Sequence, residues 1–207
     1  MNKDSTASTQ QGQQRRQVLR LSLAFGLTLG FASFTSPWLL PVAHALVLPP
    51  EVAASLPASK LQGSKRLTVW GFKVYDARLW APAAPTAAEW ARQPIALEMS
   101  YLRKLEGTAI AESSLKEMRR QGDIAPSIAQ RWLAEMKTAF PDVAEGDRIT
   151  GVHLPGESAR FYFNGKLTGE VRDADFARLF FGIWLSPNTR EPAMREALLG
   201  GAAAAPR

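Results

Sequence analysis

Arg66 and Tyr75 are the residues whose types and spacing come closest to chemistry in this chain. They lie either side of Trp70-Gly71. If that dipeptide is a two-residue turn, the flanking residues pair as Val69 with Phe72, Thr68 with Lys73, Leu67 with Val74 and Arg66 with Tyr75. Directly opposed residues hold their Cβ atoms about 4.5–5.5 Å apart on one face. Arg66, Thr68, Lys73 and Tyr75 then share a face, and Leu67, Val69, Phe72 and Val74 form the core side. A guanidinium beside a phenol hydroxyl offers only donors, which suits a carboxylate or an enolate. The same face would serve equally as wet surface, with Arg66 laid over Tyr75.

Other chemistries have little to draw on. The chain has no cysteine, which excludes disulfides, thiol catalysis and cysteine metal sites. Phosphate loops, nucleotide fingerprints and metal motifs are absent, and no cofactor is expected. The two histidines are His44 and His153. No G-x-S-x-G elbow accompanies them, and His153 reads as a partly exposed strand residue.

The first 45 residues read as an export leader. Arg15-Arg16-Gln17-Val18-Leu19-Arg20 is similar to a twin-arginine motif. Apolar residues then run from Leu21 to Leu40, and Ala43-His44-Ala45 supplies small residues where a signal peptidase cuts. Cleavage after Ala45 would release a periplasmic protein. The apolar run is just long enough to be an uncleaved anchor, but Pro37, Gly26, Gly30 and Ser33 weaken that alternative.

The whole chain carries 25 basic and 19 acidic residues. The leader takes four of the basic residues and one acid, leaving 21 against 18. Nucleic-acid binding therefore loses its compositional support, and a membrane is expected to matter only during export.

The elements that must position the hairpin follow from periodicity. Residues 46–60, with three prolines, read as an extended lead-in. Strands are expected at Lys65–Val69 and Phe72–Trp80. In Ile95–Leu102, Ile95, Leu97, Met99 and Tyr101 alternate with Glu98 and Ser100. A helix capped by Thr108 should end near Gly122. Another from Pro126 carries the stripe Ile128, Trp132, Met136 and Phe140. Strands at Arg148–Leu154, Ala159–Phe163 and Lys166–Val171 follow, the last two joined by Asn164-Gly165. Asp173 caps a further helix, and a last one runs from Asn188 or Thr189 to before Gly200. Residues 201–207 are expected to be a disordered tail. Hairpins and short connections imply an α+β domain over 61–200, a curved antiparallel sheet with helices on one face.

Three segments together resemble the chalcone isomerase-like family. They are Gly63–Thr68 with Phe72–Trp80, then Leu102–Gly107 leading into a helix, then Phe180–Thr189 with Ala193–Gly200. The resemblance spans about 60–200 and implies an open-faced β-sandwich. It also implies one of two activities. Isomerase members close a chalcone with an Arg and a Thr from the paired strands, a Tyr and an Asn from the middle helix, and a late hydroxyl. Other members bind fatty acids with an Arg and a Tyr on the carboxylate. Arg66 matches the shared Arg, and Tyr75 matches the binders' Tyr. The isomerase Tyr and Asn fall at Ile110 and Glu117, and the late hydroxyl falls near Gly182. The resemblance thus implies a non-catalytic binder of an amphipathic carboxylate, such as a fatty acid. An isomerase with altered residues and a structural envelope protein are the alternatives.

Overall fold

The computed structural model describes residues 47–200, so the leader, its cleavage site and the carboxyl-terminal tail lie outside the described residues. Six strands pair in chain order, each antiparallel to the next: β1 (Lys60–Val69), β2 (Phe72–Ala81), β3 (Ile95–Tyr101), β4 (Arg148–Leu154), β5 (Ser158–Phe163) and β6 (Lys166–Val171). Between β3 and β4 come α2 (Gly107–Met118) and α3 (Pro126–Ala139). After β6 come α4 (Ala174–Leu185) and α5 (Pro192–Leu198). This is the expected α+β open-faced sandwich.

Alternation decides which face meets the helices. Ile95, Leu97, Met99 and Tyr101 of β3 join Ile149, Phe161 and the Phe176–Phe180–Phe181 side of α4 in the main core. The stripe of α3 also packs there, with Trp132, Met136 and Phe140 buried. Asp173 caps α4 as expected, accepting from the amides of Asp175 and Phe176. Backbone contact sets two of the helix positions. A Cβ at Gly63 of β1 would lie 1.9 Å from the Ala197 carbonyl oxygen of α5, and one at Gly107 would lie 2.1 Å from that of Phe140. Glycine is thus required where α5 crosses β1 and where α2 starts. Thr108 does not cap α2. The helix begins one residue earlier, where the Gly107 amide donates to Asp142 at 2.9 Å.

The opposite face of the sheet is partly covered as well. The lead-in is not extended throughout: α1 (Pro50–Ser55) forms there, with Pro50 in its first turn, where a missing N–H costs nothing. Val52 of α1 and Leu56 just after it pack on Trp80, Ala96 and Val152. Glu51 is buried there but held by Arg148 at 2.9 Å and Thr150 at 2.8 Å. Glu98 is likewise buried, accepting from Arg78 at 2.9 Å and from the Trp80 indole at 2.8 Å. Each buried carboxylate thus has a cation and a neutral donor, the condition for keeping a charge out of water.

His153 is in β4 as expected but is fully buried, not partly exposed. It is 1% exposed, with its ring 5.1 Å from that of Phe181. Its Nε2–H donates to the Ala91 carbonyl at 3.0 Å, while Nδ1 has no partner among the described residues. Burial holds its pKa below the usual histidine range, and the bond to Ala91 offsets this in part.

Candidate functional site

The first hairpin turns at Trp70-Gly71 as expected, and Val69–Phe72 and Thr68–Lys73 pair as expected. The register then slips by one. Leu67 lies opposite Tyr75 and Arg66 opposite Asp76, leaving Val74 as the extra residue of a bulge. A one-residue slip exchanges the two faces of a strand. Tyr75 therefore points toward the helices with Leu67, and Arg66 points away from them.

Arg66 is bound through Nε and Nη2 to the two carboxylate oxygens of Asp76, at 2.6 and 2.7 Å. That pairing keeps the guanidinium more firmly protonated. Thr68 and Lys73 are exposed. Of the four candidate residues, only Tyr75 lines the cavity described next. The expectation that Arg66 and Tyr75 sit side by side is corrected by the bulge at Val74, which alternation alone does not reveal.

A cavity of about 430 Å³ lies between the open end of the sheet and the helices. Leu67, Val69, Val74 and Tyr75 form one wall, and Met99, Tyr101 and Ile149 form the floor. α2 supplies Ile110, Ser114 and Glu117, and the stretch from α4 to α5 supplies Ile183, Trp184 and Thr189, with Arg190 and Glu191 at the rim. Ile110 and Glu117 are the positions matched to the isomerase Tyr and Asn. The late hydroxyl in the cavity is Thr189, not a residue near Gly182, whose Cα is packed against Gln121.

Most polar groups in the cavity are already committed. Ser114 donates to the Ile110 carbonyl at 2.8 Å, and Thr189 donates to that of Ile183 at 2.7 Å. Glu117 is approached by Arg190 at 3.3 Å and Arg120 at 3.4 Å. Trp184 Nε1 donates to the Tyr75 hydroxyl at 2.9 Å, leaving the Tyr75 proton free to be donated. The Tyr101 ring stands edge-on to that of Tyr75, with centroids 6.1 Å apart. Burial pushes the Tyr75 pKa up to about 12, the Trp184 bond opposes the rise, and the charge of Glu191 adds to it. Tyr101 is raised too, by burial and then by Tyr75. Both hydroxyls therefore stay protonated at neutral pH. Together they are neutral donors among the side chains that line a largely apolar space. Sequence reasoning found Tyr75 but missed Tyr101, Trp184 and Arg190. Tyr101 was legible only as the last core position of β3.

The sequence model of the chalcone isomerase-like family matches residues 48–200, and the chain belongs to that family. An uncharacterized protein of Haemophilus influenzae is 33% identical over 136 residues, 63% of each chain. The match thus spans less than two thirds of that relative. Among solved structures, a fatty-acid binding protein of Arabidopsis thaliana superposes with a TM-score of 0.53 at 15% identity, covering 70% of this chain and 88% of that one. At that identity the likeness establishes the fold.

Proposed function

We propose that this is an exported, periplasmic protein that holds a small amphipathic molecule, a carboxylic acid such as a fatty acid or its ester, without transforming it. The observation that carries this reading is the cavity of about 430 Å³, lined mainly by apolar side chains together with Tyr75 and Tyr101. Its size falls in the range of small-molecule sites, about 300–1,000 Å³. Each buried methylene contributes about 0.8 kcal/mol, so roughly ten offset the association cost. The two phenols donate to a carbonyl or carboxyl head group. Among the described residues, the one cation lining the cavity is Arg190, which is exposed and faces Glu117. A buried negative charge would be poorly balanced there, and the neutral acid or ester suits the site better.

The non-catalytic reading is supported by the same residues. Ile110 presents only alkyl groups where isomerases are said to carry a phenol, and Glu117 is occupied with two arginines. Export is supported by the twin-arginine-like leader and by the family match starting at residue 48, just past Ala45. Native mass spectrometry of protein purified from its own host tests both parts. A mass beginning at Leu46 with a releasable amphiphile is expected. An intact Met1 terminus would reject cleavage, and protein that never carries an amphiphile would reject binding.

A further inference from the structure

Two hairpin turns in this chain share one backbone geometry but use different residues. Asn164-Gly165 has φ values of 48° and 84°, and Trp70-Gly71 has 49° and 81°. Both first positions are left-handed, where asparagine fits readily and a bulky side chain is strained. At the first of these turns the side chain is tied into the fold. Asn164 accepts from the Arg148 amide at 2.9 Å and donates to Asp147 at 2.9 Å. At the second, a tryptophan occupies the strained position and is 94% exposed. It contributes almost no burial to the fold, so its selection is not explained within the chain.

Its neighbours point to what it meets. Phe72 is 61% exposed and Val69 42%. The guanidinium of Arg103, on the loop after β3, lies 5.3 Å from the centre of the Phe72 ring. Lys73 on β2 and Lys104, next to Arg103, are also exposed. Arg66 is paired with Asp76, Glu106 is the acid on the loop after β3, and Asp142 and Glu145 are exposed on the segment bonded to Tyr101 and Leu105. The result is an exposed aromatic pair at a turn, with Lys73 beside it on β2 and Arg103 against Phe72. Aromatic side chains settle at the boundary between headgroups and hydrocarbon, and lysine and arginine are drawn to anionic headgroups.

We propose that the β1–β2 turn docks this domain onto an anionic bilayer surface, with Trp70 and Phe72 inserted at the headgroup level and Lys73, Arg103 and Lys104 on the phosphates. No helix among the described residues is long and apolar enough to cross a membrane. Such docking goes beyond contact with the membrane during export alone. Val69 and Val74 belong both to this hairpin and to the cavity wall, so docking would set the cavity beside the lipid. The docking stands whether or not the cavity is filled.

The test uses residues 46–207, which contain both cores and every described element, and vesicles of phosphatidylcholine with or without 30% phosphatidylglycerol. Co-sedimentation should be stronger with the anionic vesicles. Trp70→Ser should weaken it by about tenfold, as loss of one large buried apolar group does. Lys73→Gln and Arg103→Gln should each weaken it by about fivefold on anionic vesicles only. Circular dichroism of the variants should match wild type, since the substituted side chains are exposed. Wild-type protein that stays in the supernatant with both vesicles would overturn the proposal. So would Trp70→Ser sedimenting as wild type does, or a Trp70-dependent dimer in ultracentrifugation without lipid binding.

Discussion

The indole of Trp184 in α4 donates to the hydroxyl of Tyr75 in β2 across 2.9 Å, on one side of the cavity. This bond ties the helical layer to the sheet beside the cavity. It also fixes the role of Tyr75, since a hydroxyl that accepts from an indole keeps its own proton to donate. Removing the acceptor leaves a largely buried indole N–H unpaired.

Tyr75→Phe should therefore destabilise the fold by about 1–3 kcal/mol, the cost of an orphaned donor. Tyr101→Phe should be milder, because no hydrogen bond from the described residues acts on that phenol. Urea denaturation of both variants checks the order. A Tyr101→Phe loss larger than that of Tyr75→Phe would contradict the assigned bond.

Both phenols also set an alkaline limit. In the unfolded chain a tyrosine ionises near pH 10. In the fold Tyr75 does so only at about 12, because burial disfavours the anion. Between those values the folded state binds more protons than the unfolded one, so stability falls as pH rises. The loss should start near pH 10 and run through about 12. Tyr101→Phe, removing the second raised group, should make it shallower in denaturation measured across that window.

An acid limit follows from His153. Burial lowers its pKa in the fold, so the unfolded chain takes up a proton first as pH falls below about 6.5. Stability should be complete above that value and decline below it, by at most about 1.4 kcal/mol per pH unit for one proton. His153→Phe keeps a ring against Trp90 and Phe181 and should flatten the decline between pH 7 and 5. An unchanged slope would assign the acid sensitivity to other groups.

The fold was legible in the sequence where local chemistry and periodicity agreed. Asn164-Gly165, the Asp173 cap and the four-residue stripe of α3 each name one structure, and each forms. The site was less legible because it depends on a single residue. The bulge at Val74 carries Arg66 to Asp76 and Tyr75 to the cavity, and no pattern of residue types marks it. α1 was hidden because three prolines suggest extension, although one at the first turn favours a helix. The cavity floor depends on Tyr101 meeting Tyr75 across strands, a contact that needs the register.

The absence of a free cation among the described residues that line the cavity predicts an order of ligands. A fatty-acid methyl ester should compete for the site at least as well as the acid at pH 7, since both accept from the phenols and only the acid brings a charge. Displacement of a fluorescent probe by the two compounds measures this. A preference for the ionised acid of tenfold or more would place an unbalanced cation at the head group, against the geometry of Arg66 and Arg190.

The most direct test is titration of a fluorescent fatty acid into wild type, Ile110→Trp and Arg66→Ala. Ile110 lines the cavity from a half-buried position on α2, so tryptophan there fills the space while leaving the main core intact. Arg66 is on the opposite face with Asp76, and its loss should cost at most about 1 kcal/mol of stability. Wild type and Arg66→Ala should bind with equal affinity, and Ile110→Trp should bind at least about tenfold more weakly. Saturable binding that Ile110→Trp leaves unchanged, or that Arg66→Ala abolishes, would contradict the cavity as the ligand site.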